Sequence, residues 1–320
     1  MRILHLLEVK YNKIKEMIPK IRENNFDAIQ IGNSAKLKSH LYLNELNKKY
    51  GYPYKRNIYA DWYKLYQNLM FEIGNDLGTK EELEELCEVA NQYNMIIVAD
   101  FVPRHLANGN KGNQMEPNPD CDKELLEHPE CFLDKVKMND HDRHSIIWHC
   151  NDLPSLNYTN DLVLSKYRNY LQELMDCGIR GIRLDMAKHF ALPSEGGNKF
   201  WNLINEFKGK YNLVVYGECI QCSDELLNRY IQETGIMVLT DYIGFWDREK
   251  TMAMIYSHDH ALTWNIDVPN DKVIEGYCNL CKSHNHTLFY TMDYLGWDDP
   301  RVREANKNRI YYWWRGIEVD

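Results

Sequence analysis

This chain of 320 residues has no surplus of positive charge: 38 Lys and Arg stand against 47 Asp and Glu, a formal net charge of −9. Neutralising phosphates takes clustered basic side chains, so the balance excludes a general nucleic-acid binder and favours a neutral ligand. No run approaches the roughly 20 apolar residues that would cross a bilayer. The amino terminus places Glu8 where a signal peptide would continue its apolar stretch, which predicts a cytoplasmic protein with no membrane contact. A regular, even set of cysteines is also missing. The nine present are scattered and read as reduced thiols rather than as a disulfide framework. Internal repeats, low-complexity tracts and linkers are absent as well. With 44% hydrophobic residues, the length suits one large domain with an insertion, or two modest domains.

Aromatic residues are plentiful, with 22 Tyr and 8 Trp. Sugar rings stack their C–H faces on such side chains, although core packing uses them as well. Short apolar runs alternate with amphipathic helical stretches from end to end, the pattern of parallel βα units. Strands are predicted at Ile3–Leu7, Ala28–Ile31, Met95–Phe101, Gly181–Asp185, Leu213–Gly217, Met237–Thr240, Met252–Ser257 and Thr287–Thr291. Helices are predicted at Asn12–Asn24, Lys80–Tyr93, Asp161–Cys177, Asn198–Phe207, Ser223–Glu233 and Asp271–Ser283, with Asp241–Thr251 too short for a full helix. Eight such units make a (β/α)8 TIM barrel. Two segments break the rhythm: a long loop over Gly32–Met70 and an aperiodic stretch over Leu106–Asn157. In a barrel, long loops after strands carry function.

Charged residues stand at the carboxyl ends of four strand candidates: Asp100, Asp185, Glu218 and Asp259. In a closed barrel all four would project into one mouth. Arg183 lies two residues before Asp185, so both side chains point the same way and the guanidinium can hold the carboxylate ionised. His258, beside Asp259, supplies a donor for substrate hydroxyls. Retaining glycosidic cleavage needs one carboxylate as nucleophile and a second carboxyl roughly 5 Å away that donates and then accepts a proton. Neighbouring negative charge would keep that second group protonated. Spacing alone leaves three readings open: glycoside hydrolysis, another barrel enzyme using acids and metals, and purely structural acids.

At these residues the sequence resembles the α-amylase family, glycoside hydrolase family 13. Asp100-Phe-Val-Pro-Arg-His105, Gly181-Ile-Arg-Leu-Asp-Met-Ala-Lys-His189, Gly217-Glu218 and Ser257-His-Asp259 are similar to its four conserved regions, in order. Asp61-Trp-Tyr-Lys-Leu-Tyr-Gln67 and the stretch from Glu72 to Glu82 resemble loops of secreted α-amylases of the Bacillus subtilis type. The resemblance implies Asp185 as nucleophile, Glu218 as general acid and base, and Asp259 as the acid gripping ring hydroxyls. It implies that Arg183, His105 and His258 line the cleaved subsite, with Tyr66 as the platform beneath the reacting sugar. Trp62, Tyr63 and Gln67 would lie towards the non-reducing side, and Lys188 and His189 would reach the leaving-group side. Asp100 is expected to be structural, bonding Arg183 or nearby backbone. The implied function is a retaining hydrolase of α-1,4-glucans. Transglycosylation, or a non-catalytic glucan-binding relative, is the alternative.

Two departures from the family pattern alter the expectation. Most members carry a calcium-ligating asparagine just before the first-region histidine, whereas here the residue is Arg104. A guanidinium cannot ligate a cation but can occupy its place and bond the same carbonyls. No metal and no cofactor are therefore expected to be required. Nor does the chloride site of animal-type members find a counterpart, since Ser257 stands where an asparagine would be expected. The chain also leaves no room for a C-terminal β-sandwich, which gives a catalytic barrel at 1–105 and 158–320 and a small inserted domain at 106–157; Trp313 and Trp314 would cover the bare surface or meet a second copy. Two cysteine pairs, Cys219/Cys222 and Cys278/Cys281, the latter near His284 and His286, have zinc-like spacing. They sit on different parts of the barrel and are not expected to converge. Cys121, Cys131 and Cys150 with nearby histidines in the inserted segment are a further metal candidate, likewise not expected to bind one.

Overall fold

The computed structural model describes residues 1–38, 63–109, 113–240, 249–260, 268–291 and 296–308. Eight parallel strands close into a barrel: β1 (Arg2–Leu6), β2 (Ala28–Asn33), β5 (Ile96–Phe101), β6 (Gly181–Leu184), β7 (Val214–Glu218), β8 (Met237–Thr240), β9 (Thr251–Met254) and β10 (His286–Phe289). All eight strand predictions fall on these elements. The seam is made by β1 on β10, with Ile3 opposite Leu288 and Leu4 opposite Phe289. Arg2, wholly buried, gives its guanidinium to the carbonyls of Cys281, His284 and Asn308 and to the Thr287 hydroxyl at 3.1 Å, tying the first strand to the last part of the chain.

Strand residues alternate between two packing environments, as the period of two requires. Ile3, Ala28, Val98, Val214, Leu239, Met252 and Leu288 belong to a cluster inside the barrel. Their neighbours Leu4, Ile29, Ala99, Val215 and Phe289 pack in the larger layer between barrel and helices. That outer layer is supplied by α1 (Tyr11–Glu23), α2 (Lys80–Gln92), α5 (Asp161–Asp176), α6 (Asn198–Tyr211), α7 (Asp224–Thr234) and α8 (Asn270–Ser283), each within a residue or a few of its predicted bounds. Local chemistry sets several starts. Thr79 and Glu82 form a reciprocal capping box on α2, Asn160 caps α5, and Ser223 caps α7.

One expectation is corrected. Gly32–Met70 is not loop throughout, because Ala35–Leu37 (β3) pairs antiparallel with Asn68–Ile73 (β4) in a separate ribbon. Phe71 on that ribbon packs on Phe101, Tyr167 and Tyr170, which anchors it to the barrel. The predicted short connector after β8 lies mostly at 241–248, outside the described residues, as do Trp313 and Trp314. Between β5 and α5 the described residues make two short α-helices, α3 (Lys123–Leu126) and α4 (Arg143–Trp148), a 3-10 turn at Pro129–Cys131 and several isolated bridges. Arg143 of α4 bonds Glu195 at 2.7 Å and the Phe190 carbonyl at 3.1 Å, fastening this segment to the loop after β6.

Candidate functional site

Two residues beyond the apolar ring, the barrel interior turns polar on the same inward-facing positions: His5 after Ile3, Gln30 after Ala28, Asp100 after Val98, Arg183 after Gly181 and Tyr216 after Val214. The Tyr216 hydroxyl donates to Gln30 Oε1 at 2.6 Å, and Gln30 Nε2 meets His5 Nε2 at 3.0 Å. This floor supports a cluster built on Arg183, which is 2% exposed. Its Nη1 donates to both oxygens of Asp100, at 2.8 and 3.1 Å, and to Asp185 Oδ1 at 2.7 Å, while Nη2 donates to Glu218 Oε1. One guanidinium thus serves acids from three adjacent strands. The other Glu218 oxygen accepts from the Met186 backbone N–H at 3.0 Å.

Met186 reaches Glu218 because it adopts a left-handed conformation, φ 51°, directly after β6. Gly217 makes room for that turn: a Cβ there would sit 2.5 Å from the Ala187 Cβ. Both lie in the family-like regions, but the sequence assigns neither of them this role. A methionine gives no local signal for positive φ, since tertiary contacts impose it.

Tyr66 covers the cluster from the loop that leads into β4. Its hydroxyl donates to Asp100 Oδ2 at 3.0 Å and meets His258 Nε2 at 3.1 Å, and the two rings stack with centroids 5.4 Å apart. With the phenol proton given to Asp100, His258 donates from Nε2. Asp259, on the segment after β9, lies 3.6 Å from the same nitrogen. The strand itself stops at Met254, three residues short of its predicted end, and Asp259 sits in the helical turn at 258–260 that follows it. His105 Nε2 bonds the Tyr66 carbonyl at 2.8 Å and fixes the platform from behind.

Electrostatically the cluster holds three carboxyls for one guanidinium. Burial pushes Asp185 well up from the usual carboxylate range, with Arg183 opposing and the charges of Glu218, Asp100 and Asp259 adding to the rise. Burial raises Asp100 too, again against Arg183. Each added negative charge makes the next ionisation costlier, and Arg183 opposes that rise. Burial and Arg183 lower His258 to about 3, and burial, helped by Arg104, lowers His105 to about 4.

The His105 shift has a measurable consequence. Below the ordinary histidine value of 6.5, the unfolded chain binds a proton that folded His105 refuses until about pH 4. Stability is therefore lost as pH falls through that window, by up to about 1.4 kcal/mol per pH unit for this one group. Asp100 and Asp185 act in the opposite sense, which makes a comparison of proteins the clean measurement. His105→Gln, which keeps a donor for the Tyr66 carbonyl, is expected to lose less stability than the parent between pH 6.5 and 4.5 in chemical unfolding. Parallel pH profiles would contradict the assignment.

The remaining expected residues are placed less uniformly. Tyr63 is 48% exposed, as a ligand platform requires. Gln67 is buried and its Oε1 accepts from the Asn108 N–H at 3.1 Å, so the side chain holds loop to loop. Lys188 Nζ donates to the Ile220 carbonyl at 3.0 Å. His189 is buried, and the charges acting on its ring are those of Arg104, Lys188 and Arg143 rather than those of the acids. Trp62 lies outside the described residues. Arg104 is fully buried and stacks over the Tyr158 ring at 5.4 Å. Its Nη2 donates to the carbonyls of His149, at 2.8 Å, and Ile146, at 3.5 Å, at the end of α4. Among the described residues no group of three or more His, Cys, Asp or Glu is arranged to hold a metal, and the two cysteine pairs stay apart on the β7 end and on α8. A recess of about 500 Å3 lined by Glu84, Met95, Asp176 and Arg180 opens at the amino ends of β5 and β6, the face opposite the acids.

Comparison with known proteins shows the family and the fold. The family model for the α-amylase catalytic domain matches residues 62–243. An α-amylase of Clostridium acetobutylicum is 30% identical over 228 residues, covering 68% of this chain but 28% of that protein, so the chain spans less than a third of its relative. In fold, an Anoxybacillus α-amylase superposes with a TM-score of 0.68 at 17% identity, over 94% of this chain and 73% of that one. A gamma-CGTase from alkalophilic Bacillus clarkii does so with a TM-score of 0.69 at 14% identity, over 93% and 50%. Because the family match runs over more than half of the chain and across the strands that carry Asp100, Arg183, Asp185 and Glu218, this protein belongs to the α-amylase family through its catalytic domain.

Proposed function

We propose that this chain is a retaining α-glucan hydrolase that cleaves α-1,4-glucosidic bonds in maltooligosaccharides or related polymers. The observation that carries the reading is the seating of Asp185 and Glu218 on the two terminal nitrogens of one guanidinium. That arrangement brings both carboxyls to one cation at the same rim, and a retaining mechanism asks for two such groups roughly 5 Å apart. Asp185 attacks the anomeric carbon while Glu218 protonates the departing glycosidic oxygen. A water deprotonated by Glu218 then releases the sugar from Asp185. Asp259 and the neutral His258 bind ring hydroxyls, and Arg183 stabilises the carboxylate that forms as each bond breaks. Tyr66 and the exposed Tyr63 present apolar faces to the sugar, and Lys188 serves the leaving-group side.

Transglycosylation is the second reading, favoured by the equal likeness of the fold to a gamma-CGTase. Incubation with starch and with maltoheptaose, followed by separation of products by size, decides between them. Shorter products alone support hydrolysis, products longer than the substrate support transfer, and no change with either would overturn both.

The residues at the family calcium position do not fit a divalent cation. Arg104 brings a fixed positive charge, and the carbonyls of His149 and Ile146 already accept from it. We infer that the guanidinium replaces the ion and that the protein needs no metal. Residues 106–157, fastened by Arg104 and Arg143, form the small domain set on the barrel. All nine cysteines are thiols, which supports work in a reducing, cytoplasmic compartment. No helix among the described residues is long and apolar enough to cross a membrane.

A further inference from the structure

Immediately after Glu218 the chain reads Cys219-Ile-Gln-Cys222, a spacing that neither the fold nor the proposed chemistry uses. Ile220 and Gln221 are the central residues of a turn, with Gln221 at φ 59°. A tight turn brings its first and fourth Cα atoms within about 7 Å, and a disulfide needs about 4.4–6.8 Å. Burial, and then the neighbouring Cys222 thiol, push the Cys219 thiol up. Cys219 is fully buried, whereas Cys222 is partly exposed between the exposed Gln221 and Ser223. The carbonyl inside this turn, Ile220 O, accepts from Lys188 Nζ at 3.0 Å and also from the Cys222 thiol at 3.9 Å. One turn therefore joins two sulfurs, the Lys188 ammonium and the strand end that carries Glu218.

We propose that Cys219 and Cys222 form a redox-modifiable dithiol, and that its oxidation to a disulfide draws the Ile220 carbonyl away from Lys188 and releases the ammonium. The oxidant is a low-molecular-weight disulfide. Cys222, the accessible sulfur, loses its proton to solvent and attacks the small disulfide, expelling one thiolate. Cys219 then attacks the Cys222 sulfur, and its proton goes to the second departing thiolate. Two protein thiols are oxidised and one small disulfide is reduced to two thiols. Burial keeps the Cys219 thiol protonated until that moment, which suits a resolving rather than an attacking sulfur. The effect on turnover rests on the glucan reading, whereas the covalent change and the state of Lys188 do not.

The test uses the whole chain, reduced or treated with oxidised glutathione. Peptide mapping by mass spectrometry follows the Cys219–Cys222 linkage, and a pulse of an amine-acetylating reagent follows Lys188. Oxidation is expected to join these two cysteines and to raise the Lys188 labelling rate at least about threefold, the factor expected for loss of one modest contact. Cys222→Ser should show neither change and keep the turnover of the reduced protein. In oxidised parent protein, KM for maltoheptaose should rise by a similar factor. Thiols that stay unjoined at Cys219 and Cys222, or a disulfide that leaves Lys188 labelling unchanged, would overturn the proposal. Absence of any glucan turnover would instead count against the proposed function, with the peptide map and lysine labelling still deciding this one.

Discussion

Glu218→Gln is expected to lower kcat on maltooligosaccharides by about 10²- to 10⁴-fold, the worth of a positioned acid and base, while binding changes little. Glutamine keeps the shape and can still accept from Arg183 or from the Met186 N–H, the two donors that hold Glu218. It has no proton to give to a departing oxygen. Asp185→Asn should be at least as damaging, because no covalent intermediate can form on an amide. A binding measurement with maltoheptaose separates loss of chemistry from loss of structure. An E218Q protein retaining more than a tenth of the parent rate would remove Glu218 from the mechanism.

The second large effect is expected at Arg104. Arg104→Met should destabilise the fold by about 3 kcal/mol, because the carbonyls of His149 and Ile146 lose a charged donor in a buried place. Denaturant unfolding at constant pH measures it. Arg104→Asn carries the sharper consequence. Removing the cation and supplying an oxygen ligand should make stability depend on calcium, with the melting temperature rising on addition of the ion and falling with chelator. The parent protein should be indifferent to both. A parent that loses stability on chelation would refute replacement of the ion by the guanidinium.

Much of this architecture could be read in advance, for reasons specific to each part. The barrel strands were legible because buried parallel strands are short, nearly continuous apolar runs, as in Ile96–Phe101 and Val214–Glu218. The acids were legible because a charge closing such a run has few places to go except the mouth. Arg183 followed from its two-residue offset from Asp185. What escaped depended on contacts distant in sequence. Asn68–Ile73 shows its pairing only beside Ala35–Leu37. Arg104 finds its acceptors at Ile146 and His149, more than forty residues on, and His189 is turned towards that same arginine. The polar floor of His5, Gln30 and Tyr216 was within reach, since counting by twos from Ile3, Ala28 and Val214 puts all three inside. Each residue alone, however, resembles an ordinary strand position.

The seam between the first and last strands bears on how the chain comes to be folded. Among the described residues the Arg2 guanidinium finds its acceptors from 281 onward, and β1 has no partner on one side until 286–289 exist. During synthesis the sheet must therefore wait as an open ribbon with two unsatisfied borders, the condition in which strands recruit neighbouring molecules. Closure is a single late event that seals the ring and neutralises the isolation of a buried cation at the same stroke. Fragments ending before His286 should consequently accumulate as aggregates rather than as smaller soluble barrels.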